Sequence, residues 1–295
     1  MILSNTLRQQ TALRTCRTSM LTHCLYNPKS QRRRLHRVAQ LTHDNHFGEH
    51  GVGKMLTPSS YDYAWTEYQG YIVQRLNSMT ADTKDDKRPT KDILIEYARN
   101  PAFASLFNHA SMAWNNHCFF STLSPNPAPM SPFLTEKINR SFSSVESLRE
   151  TFIATANAMF GPGFVWLVKR NTVRASGAQD LPELAILTTY LAGSPWPQAH
   201  YRAQESDTNT NLQAGAWGAK SGKAEKIAPG GTNIHIMMCV NTWQHVWLRD
   251  YGFGGKKRFL ANWWDTIDWD VVERNAEFEA PRDPQKPAFN LKRAI

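Results

Sequence analysis

The chain has 295 residues, of which 41% are hydrophobic and 20% are charged. This balance predicts a folded globular chain with a sizeable core, not a disordered one. No run of about 18 apolar residues occurs, so we expect no membrane-spanning helix and no membrane partner. The four cysteines, Cys16, Cys24, Cys118 and Cys239, have no CxxC spacing. That disfavours a zinc site or a disulfide framework and indicates a reducing compartment.

The net charge of +9 is concentrated at the amino terminus. Residues 1–43 contain eight of the 34 basic residues and no acidic residue, which leaves 26 basic against 25 acidic residues in the body. A protein that binds nucleic acid over a broad surface carries a clear excess of positive charge there. The near-neutral body therefore leaves only local basic patches as candidate RNA contacts.

Residues 1–45 are interpreted as a separate amino-terminal extension. They are rich in arginine, serine and threonine, contain one acidic residue, Asp44, and lack the continuous apolar run of a secretory signal. This composition is typical of a mitochondrial targeting peptide. The alternative is a basic arm that stays on the protein and contacts RNA.

Residues 46–130 are predicted to form a helical hairpin domain. One helix is predicted from Pro58 to Asn77, because proline suits the first turn and apolar residues recur with the helical period. A second helical stretch is predicted from about Thr90 to Ser124. A closely spaced set of prolines then ends it: Pro125, Pro127, Pro129 and Pro132.

Residues 131–280 are predicted to form an α/β domain, followed by a tail of residues 281–295. Its first helix should be capped by Ser144 and end at Gly161 and Gly163. Runs rich in β-branched and aromatic residues predict three strands, at 165–170, 183–191 and 233–241. The polar segment 196–232 is interpreted as an insertion, and the domain should end in helices interrupted by a GFGG sequence. The fold class is therefore α+β.

Four motifs in order resemble the iron/manganese superoxide dismutases. They are WNNHCFFSTLSP (114–125), FSSVESLRETFIATANAMFGPGFVWLV (142–168), VNTWQHVWLRDYG (240–252) and WWDTIDWDVVERN (263–275). The resemblance covers residues 56–275 except the insertion. It implies the dismutase fold, in which a helical hairpin is followed by an α/β domain with a three-stranded antiparallel sheet.

The resemblance also implies where metal ligands would stand, and most of them are missing. Members of the family hold iron or manganese with three histidines and one aspartate. The segment that should supply the first histidine, YDYAWTEYQG (61–70), contains none. The second position matches His117, or Asn116 if Leu123 sets the register; the third is Asn241 and the fourth is His245.

Supporting groups of the family's site are replaced as well. The positions that carry its active-site glutamine match Met112 and Ala192, and the glutamate before the last ligand is Gln244. An amide such as Asn241 cannot offset the charge of a metal ion. We therefore predict no catalytic residue, no bound metal and no cofactor, with His117, Asn241 and His245 as vestigial ligand positions. The aspartate variant Asn241→Asp alone should restore neither metal nor activity.

Three segments resemble a particular branch of this family, the degenerate dismutase-like proteins of the fungal mitochondrial ribosome. They are YDYAWTEYQGYIVQRLN, ASMAWNNHCFF and VNTWQH. This resemblance implies a structural component of the small subunit in the mitochondrial matrix. It also implies contacts with small-subunit ribosomal proteins and a heterodimer with a paralogous dismutase-like subunit. Limited contact with ribosomal RNA is expected at local basic residues: Lys169, Arg170, Lys256, Lys257, Arg258, Lys292 and Arg293.

Two alternatives from other classes remain open. A divergent mitochondrial dismutase would contain stoichiometric iron or manganese. A free-standing mitochondrial RNA-binding factor would not sediment with the small ribosomal particle. The insertion 196–232 is expected to contact a partner.

Overall fold

The computed structural model describes residues 36–171, 183–199 and 233–278, which all belong to one compact unit. The extension before residue 36, most of the insertion and the tail lie outside the described residues. Ten α-helices and three strands are described: α1 Asp44–His50, α2 Pro58–Tyr61, α3 Tyr68–Thr80, α4 Thr90–Tyr97, α5 Ala104–Ser121, α6 Pro132–Phe142, α7 Val145–Ala158, β1 Gly163–Asn171, β2 Leu184–Tyr190, β3 Asn233–Asn241, α8 Gln244–Tyr251, α9 Lys256–Trp264 and α10 Trp269–Asn275. Within this described part, no helix is both long and apolar enough to cross a membrane.

The first long helix begins where the sequence predicts and contains an unexpected wide segment. Thr57 caps it by accepting a hydrogen bond from the backbone of Ser60 at 3.3 Å. A π-helical segment, Asp62–Glu67, then joins α2 to α3. Such segments are uncommon and occur mostly as single turns within α-helices. The π segment lies where the dismutase resemblance calls for the first metal ligand.

The second helical stretch is divided in two. Pro101 has no backbone N–H, and the side chain of Asn100 caps a short 3₁₀ turn by accepting from Ala102 at 3.1 Å. The stretch expected from Thr90 to Ser124 is therefore α4 followed by α5.

Helix α6 was not predicted, because the proline run before it was interpreted only as a break. Ser131 caps this helix by accepting from Leu134 at 3.0 Å, and Pro132 occupies its first turn. Proline is well placed there, since the first helical N–H groups have no partner in any case. The predicted cap of α7 is confirmed, since Ser144 accepts from Ser147 at 3.0 Å.

The three strands form an antiparallel sheet in the order β2-β1-β3. Gly163 at the start of β1 pairs with Tyr190, and a Cβ atom there would lie 2.3 Å from the carbonyl oxygen of Thr189, so only glycine fits. Trp166 pairs with Cys239 of β3, and a bulge follows between Leu167 and Val168. The predicted α+β, dismutase-like architecture is confirmed.

Aromatic contacts join the helical half to the sheet. Trp114 of α5 stacks on Trp166 of β1 at 5.8 Å between ring centroids, and the indole N–H of Trp166 donates to Thr189 Oγ1 at 2.9 Å. Behind the sheet, Phe152 of α7 stacks on Trp263 of α9 at 5.3 Å. These contacts belong to the larger of two buried clusters among the described residues, in which the end of β3 meets α5, α8 and the π segment. The smaller cluster joins α3, α4 and α5.

Candidate functional site

Three buried amide side chains occupy the place where the metal-ligand positions converge. Asn241 at the end of β3 donates from Nδ2 to Oδ1 of Asn116 in α5 at 3.1 Å. Asn116 in turn donates to Oε1 of Gln69 in α3 at 3.1 Å and to the carbonyl of Ala64 at 3.3 Å. We call Gln69, Asn116 and Asn241 the amide network.

The amide network is closed at both of its ends. Gln69 donates to the carbonyl of Ala113 at 2.8 Å, and Asn241 Oδ1 accepts from the backbone N–H of Trp243 at 2.9 Å. All three side chains are buried. Buried polar groups stabilise a fold only when they are paired, and each carboxamide here both donates and accepts. The network thus joins α3, α5 and β3 without any charge.

His245, in the first turn of α8, is held as a neutral imidazole. Its ring lies on that of Tyr68 with 4.0 Å between centroids. Burial lowers the pKa of His245 to about 4. In the described part of the chain, its Nε2 has no hydrogen-bond partner. His245 is the candidate ligand position that α8 carries.

The side chain of His117 points in a different direction from that of its neighbour Asn116. Successive helical residues are about 100° apart around the axis, so two adjacent side chains cannot face the same spot. The ring of His117 lies 6.1 Å from that of Trp65, and burial lowers the pKa of His117. The structure therefore brings Asn116, not His117, to Asn241.

The residues present do not fit an iron or manganese ion. Asn116 and Asn241 are neutral and already hydrogen-bonded to each other, and Ala64, the residue of the π segment whose carbonyl accepts from Asn116, has a side chain that cannot bind a metal. Of the four ligand positions, His245 alone still provides a metal-binding side chain. Iron and manganese ions need several nitrogen and oxygen ligands with negative charge. Among the described residues, no group of three or more histidine, cysteine, aspartate or glutamate side chains could hold a metal ion.

At the two positions that match the family's active-site glutamine, this chain has nonpolar residues that pack in the core. Met112 and Ala192 are both buried. Beside them, Ser111 donates to the carbonyl of Ala192 at 2.6 Å, and Asn115 donates to the carbonyl of Gly193 at 3.0 Å. These bonds fasten α5 to the turn after β2. Gln244 is exposed at the start of α8.

The predicted RNA-contact residues differ in how accessible they are. Lys169 is only 7% exposed, and its ammonium donates to the carbonyls of Ala276 at 2.8 Å and Glu277 at 2.9 Å. The prediction that Lys169 contacts RNA is wrong, because its ammonium is directed inward and cannot reach a phosphate. Lys256 is also partly buried and donates to the carbonyl of Met159 at 2.9 Å. Burial lowers the pKa of Lys256.

Lys257 and Arg258, in the first turn of α9, are exposed, and Arg170 is partly buried near the end of β1. Lys292 and Arg293 lie outside the described residues. Gln69 is a site residue that the sequence reasoning overlooked. The available signal is its place on the apolar face of α3, four residues after Trp65 and three before Ile72.

The geometry described so far is that of a superoxide dismutase-like domain. Residues 130–214 and 219–275 match the iron/manganese superoxide dismutases, C-terminal domain. The chain is also similar to the iron superoxide dismutase of Legionella pneumophila, with 22% identity over 221 residues, which cover 75% of this chain and 90% of that protein.

Two further relatives come from Schizosaccharomyces pombe. The small ribosomal subunit protein mS43 is 26% identical over 269 residues, which cover 86% of this chain and 92% of that protein. The small ribosomal subunit protein mS42 is 31% identical over 201 residues, which cover 66% of this chain and 76% of that protein. The chain belongs to the family of superoxide dismutase-like small ribosomal subunit proteins that includes mS42 and mS43.

Proposed function

We propose that this protein is a structural component of the small subunit of the mitochondrial ribosome, works in the mitochondrial matrix, and is not an enzyme. The observation that carries the proposal is the amide network at the metal-ligand positions. Membership of a family of small ribosomal subunit proteins agrees with it.

The chemistry of the site disfavours the alternative of a divergent dismutase. A redox metal needs ligands that offset its charge, and a buried ion without them is strongly destabilised. Asn116 and Asn241 provide no charge and are hydrogen-bonded to each other. Elemental analysis of the purified full chain tests this alternative directly. Stoichiometric iron or manganese would support the enzyme and contradict our proposal.

Sedimentation tests the ribosomal assignment. A mitochondrial extract is separated on a sucrose gradient at high salt, and the chain is located by immunoblotting. We expect it to co-migrate with the small ribosomal particle, since a structural component is held by extensive contacts that salt does not disrupt. If the chain stays in the soluble fractions, it is a free RNA-binding or regulatory factor instead.

An exposed apolar surface suggests where a protein partner binds. Phe160 is 97% and Phe253 is 92% exposed, and Leu191 is also exposed. The three are brought to one end of the sheet: Leu191 donates its backbone N–H to the carbonyl of Pro162 at 2.9 Å, and Lys256, three residues after Phe253, donates to the carbonyl of Met159 at 2.9 Å. We call Phe160, Leu191 and Phe253 the apolar rim.

We assign the apolar rim to a paralogous dismutase-like subunit. Two different proteins of this family, mS42 and mS43, occur in the small ribosomal subunit of one yeast, so such a subunit has a second member available. Exposed aromatic side chains that lie at one end of the sheet suit an interface, because interface cores are enriched in aromatic residues. The near-neutral body of the chain agrees with a partner held mainly by apolar contacts.

Co-purification of the chain with its paralogue tests the heterodimer. We expect the double variant Phe160→Ser with Phe253→Ser to weaken the complex at least tenfold. The control is Tyr71→Ser, which changes an exposed aromatic residue of α3 outside the rim. Equal loss in both variants, or no loss in the rim variant, would contradict the assignment.

The extension, the insertion and the tail, which lie largely outside the described residues, complete the proposal. Residues 1–45 would direct import into mitochondria, the insertion 196–232 would contact a further ribosomal protein, and Lys292 and Arg293 in the tail 281–295 would contact RNA. Residues 46–130 and 131–280 would be the hairpin and dismutase-like domains.

A further inference from the structure

A cavity of about 400 Å³ lies away from the amide network, between the loop after α1 and the start of α9. Its lining includes Lys54, Asp250, Tyr251, Arg258 and Asn262. Sequence reasoning singled out only Arg258 in this group. We call it the Lys54–Arg258 pocket.

The loop that carries Lys54 is fixed in place. Gly51 begins it with φ of 78°, and Val52 donates its backbone N–H to the carbonyl of Leu56 at 2.9 Å. At the tip, the carbonyl of Lys54 accepts from Asn262 Nδ2 at 2.9 Å and from the hydroxyl of Tyr251 at 3.0 Å. The backbone of Lys54 is therefore held, while its side chain is exposed.

Tyr251 also holds the second cation. The guanidinium of Arg258 lies over the ring of Tyr251 at 5.3 Å from its centroid. One tyrosine thus binds the Lys54 loop through its hydroxyl and Arg258 through its ring. The guanidinium of Arg258 and the backbone of Lys54 are therefore positioned before any ligand arrives, which reduces the entropy cost of binding.

The negative charge beside the pocket is already engaged. Asp250 is the only carboxylate among the described residues that line the cavity. Its oxygens accept from the backbone of Thr57 at 2.8 Å, from Thr57 Oγ1 at 2.9 Å and from Ser60 Oγ at 2.7 Å. The carboxylate therefore faces the start of α2. The pocket offers Lys54 and Arg258 to a ligand, whereas Nδ1 of the lining residue His50 lies 3.9 Å from Oε2 of Glu49.

We propose that the Lys54–Arg258 pocket binds the backbone of a single-stranded RNA segment, with Lys54 and Arg258 each neutralising one phosphate. This rests on the proposed ribosomal function. Two exposed cations that line one concavity can each contact a phosphate, and the guanidinium that lies over the Tyr251 ring has its other face available to a base. An acidic protein segment is the competing occupant.

Salt dependence of RNA binding tests the proposal. A short fluorescein-labelled single-stranded RNA of mixed sequence is titrated with the full chain at several salt concentrations, and binding is followed by anisotropy. Each phosphate contact contributes about 0.7 to the slope of log Kd against log salt for single strands. We expect Lys54→Gln with Arg258→Gln to reduce that slope by about 1.4.

The matched control is Arg75→Gln with Lys87→Gln, which removes the same charge from two exposed residues outside the pocket. Its slope should stay that of the unchanged chain. If both double variants change the slope equally, the effect is one of net charge and the proposal is wrong.

Crosslinking within the ribosomal particle separates this proposal from the ribosomal function itself. Chain that co-sediments with the small particle is irradiated, digested and analysed by mass spectrometry. We expect nucleotide adducts on peptides that contain Lys54 or Arg258. Co-sedimentation with protein-only crosslinks at these residues would identify an acidic protein segment and overturn the RNA proposal alone. Failure to co-sediment would overturn the proposed function.

Discussion

Asn241 at the end of β3 donates a hydrogen bond to the side-chain oxygen of Asn116 in α5 at 3.1 Å. Two positions that the family's pattern reserves for metal ligands are thus bonded directly to each other. A neutral contact takes the place of two ligand–metal bonds and still ties the sheet to the helical hairpin. The loss of the ligand set has left neither a void nor an unpaired charge at these two positions.

The first prediction concerns that contact. Changing Asn241→Asp removes the donor and places a carboxylate against the oxygen of Asn116 in a buried site, so we expect the free energy of unfolding to fall by about 3 kcal/mol. Urea denaturation measures the loss. The control Asn126→Asp, at an exposed position, should change stability by less than about 0.5 kcal/mol. Uptake of iron or manganese by Asn241→Asp would show that a ligand set persists.

The second prediction concerns pH. Burial lowers the pKa of His245 to about 4, whereas the unfolded imidazole has a pKa of about 6.5. The unfolded state therefore takes up the proton first as pH falls. This contribution to stability is complete above pH ~6.5 and is lost as pH falls toward ~4, by about 3 kcal/mol in all.

Replacement of the imidazole isolates this contribution. His245→Phe keeps a ring against Tyr68 and cannot titrate, so its stability should fall less steeply between pH ~6.5 and ~4 than that of the unchanged chain. The control His46→Phe changes an exposed histidine and should leave the steepness unaltered. Thermal unfolding across this pH range measures both. Parallel curves for all three proteins would mean that His245 takes up its proton over the same pH range in the folded and unfolded states.

The third prediction separates a buried lysine from an exposed one. Lys169→Met leaves the carbonyls of Ala276 and Glu277 without their donor, so we expect a loss of about 2 kcal/mol with no change in the salt dependence of RNA binding. Lys257→Met should leave the free energy of unfolding within about 0.5 kcal/mol. Urea denaturation and anisotropy titrations on both variants provide the comparison. A reduced salt slope in Lys169→Met would restore Lys169 as an RNA contact.

The fourth prediction concerns the loop of the Lys54–Arg258 pocket. A Cβ atom at Gly51 would lie 2.3 Å from the carbonyl oxygen of Leu56, and the residue has φ of 78°. Gly51→Ala should therefore reduce stability by more than about 1 kcal/mol and weaken RNA binding, because the loop must shift. Gly254→Ala meets no atom within 4 Å and is the control. Equal stability of the two variants in urea would contradict the expected strain.

Local signals were sufficient for much of the fold. Strand β3 occupies residues 233–241, as its β-branched run predicts, and Ser144 caps α7. Both depend on interactions within a few residues, so their patterns are visible in sequence. The same holds for proline at the start of α6, where the signal was present but was interpreted as a break.

The site depended on pairings that sequence does not display. Asn116 bonds to Gln69 across 47 residues and to Asn241 across 125 residues, and one position along α5 decides whether Asn116 or His117 faces them. Lys169 was misjudged for a related reason. Strand β1 is buried on both faces from Gly163 to Lys169, so no alternation distinguished its inward side chains from its outward ones.

The π segment Asp62–Glu67 also affects how a metal site could be built in this chain. A π turn contains one residue more than an α turn, which rotates the preceding residues relative to those that follow. A histidine placed at Ala64 by point mutation would therefore occupy a helical register that differs from that of an uninterrupted helix. Recovery of the ligand set would also require changes at Asn116 and Asn241, which are hydrogen-bonded to each other. A metal site at this place thus depends on coordinated changes in three separate elements: the π segment, α5 and β3.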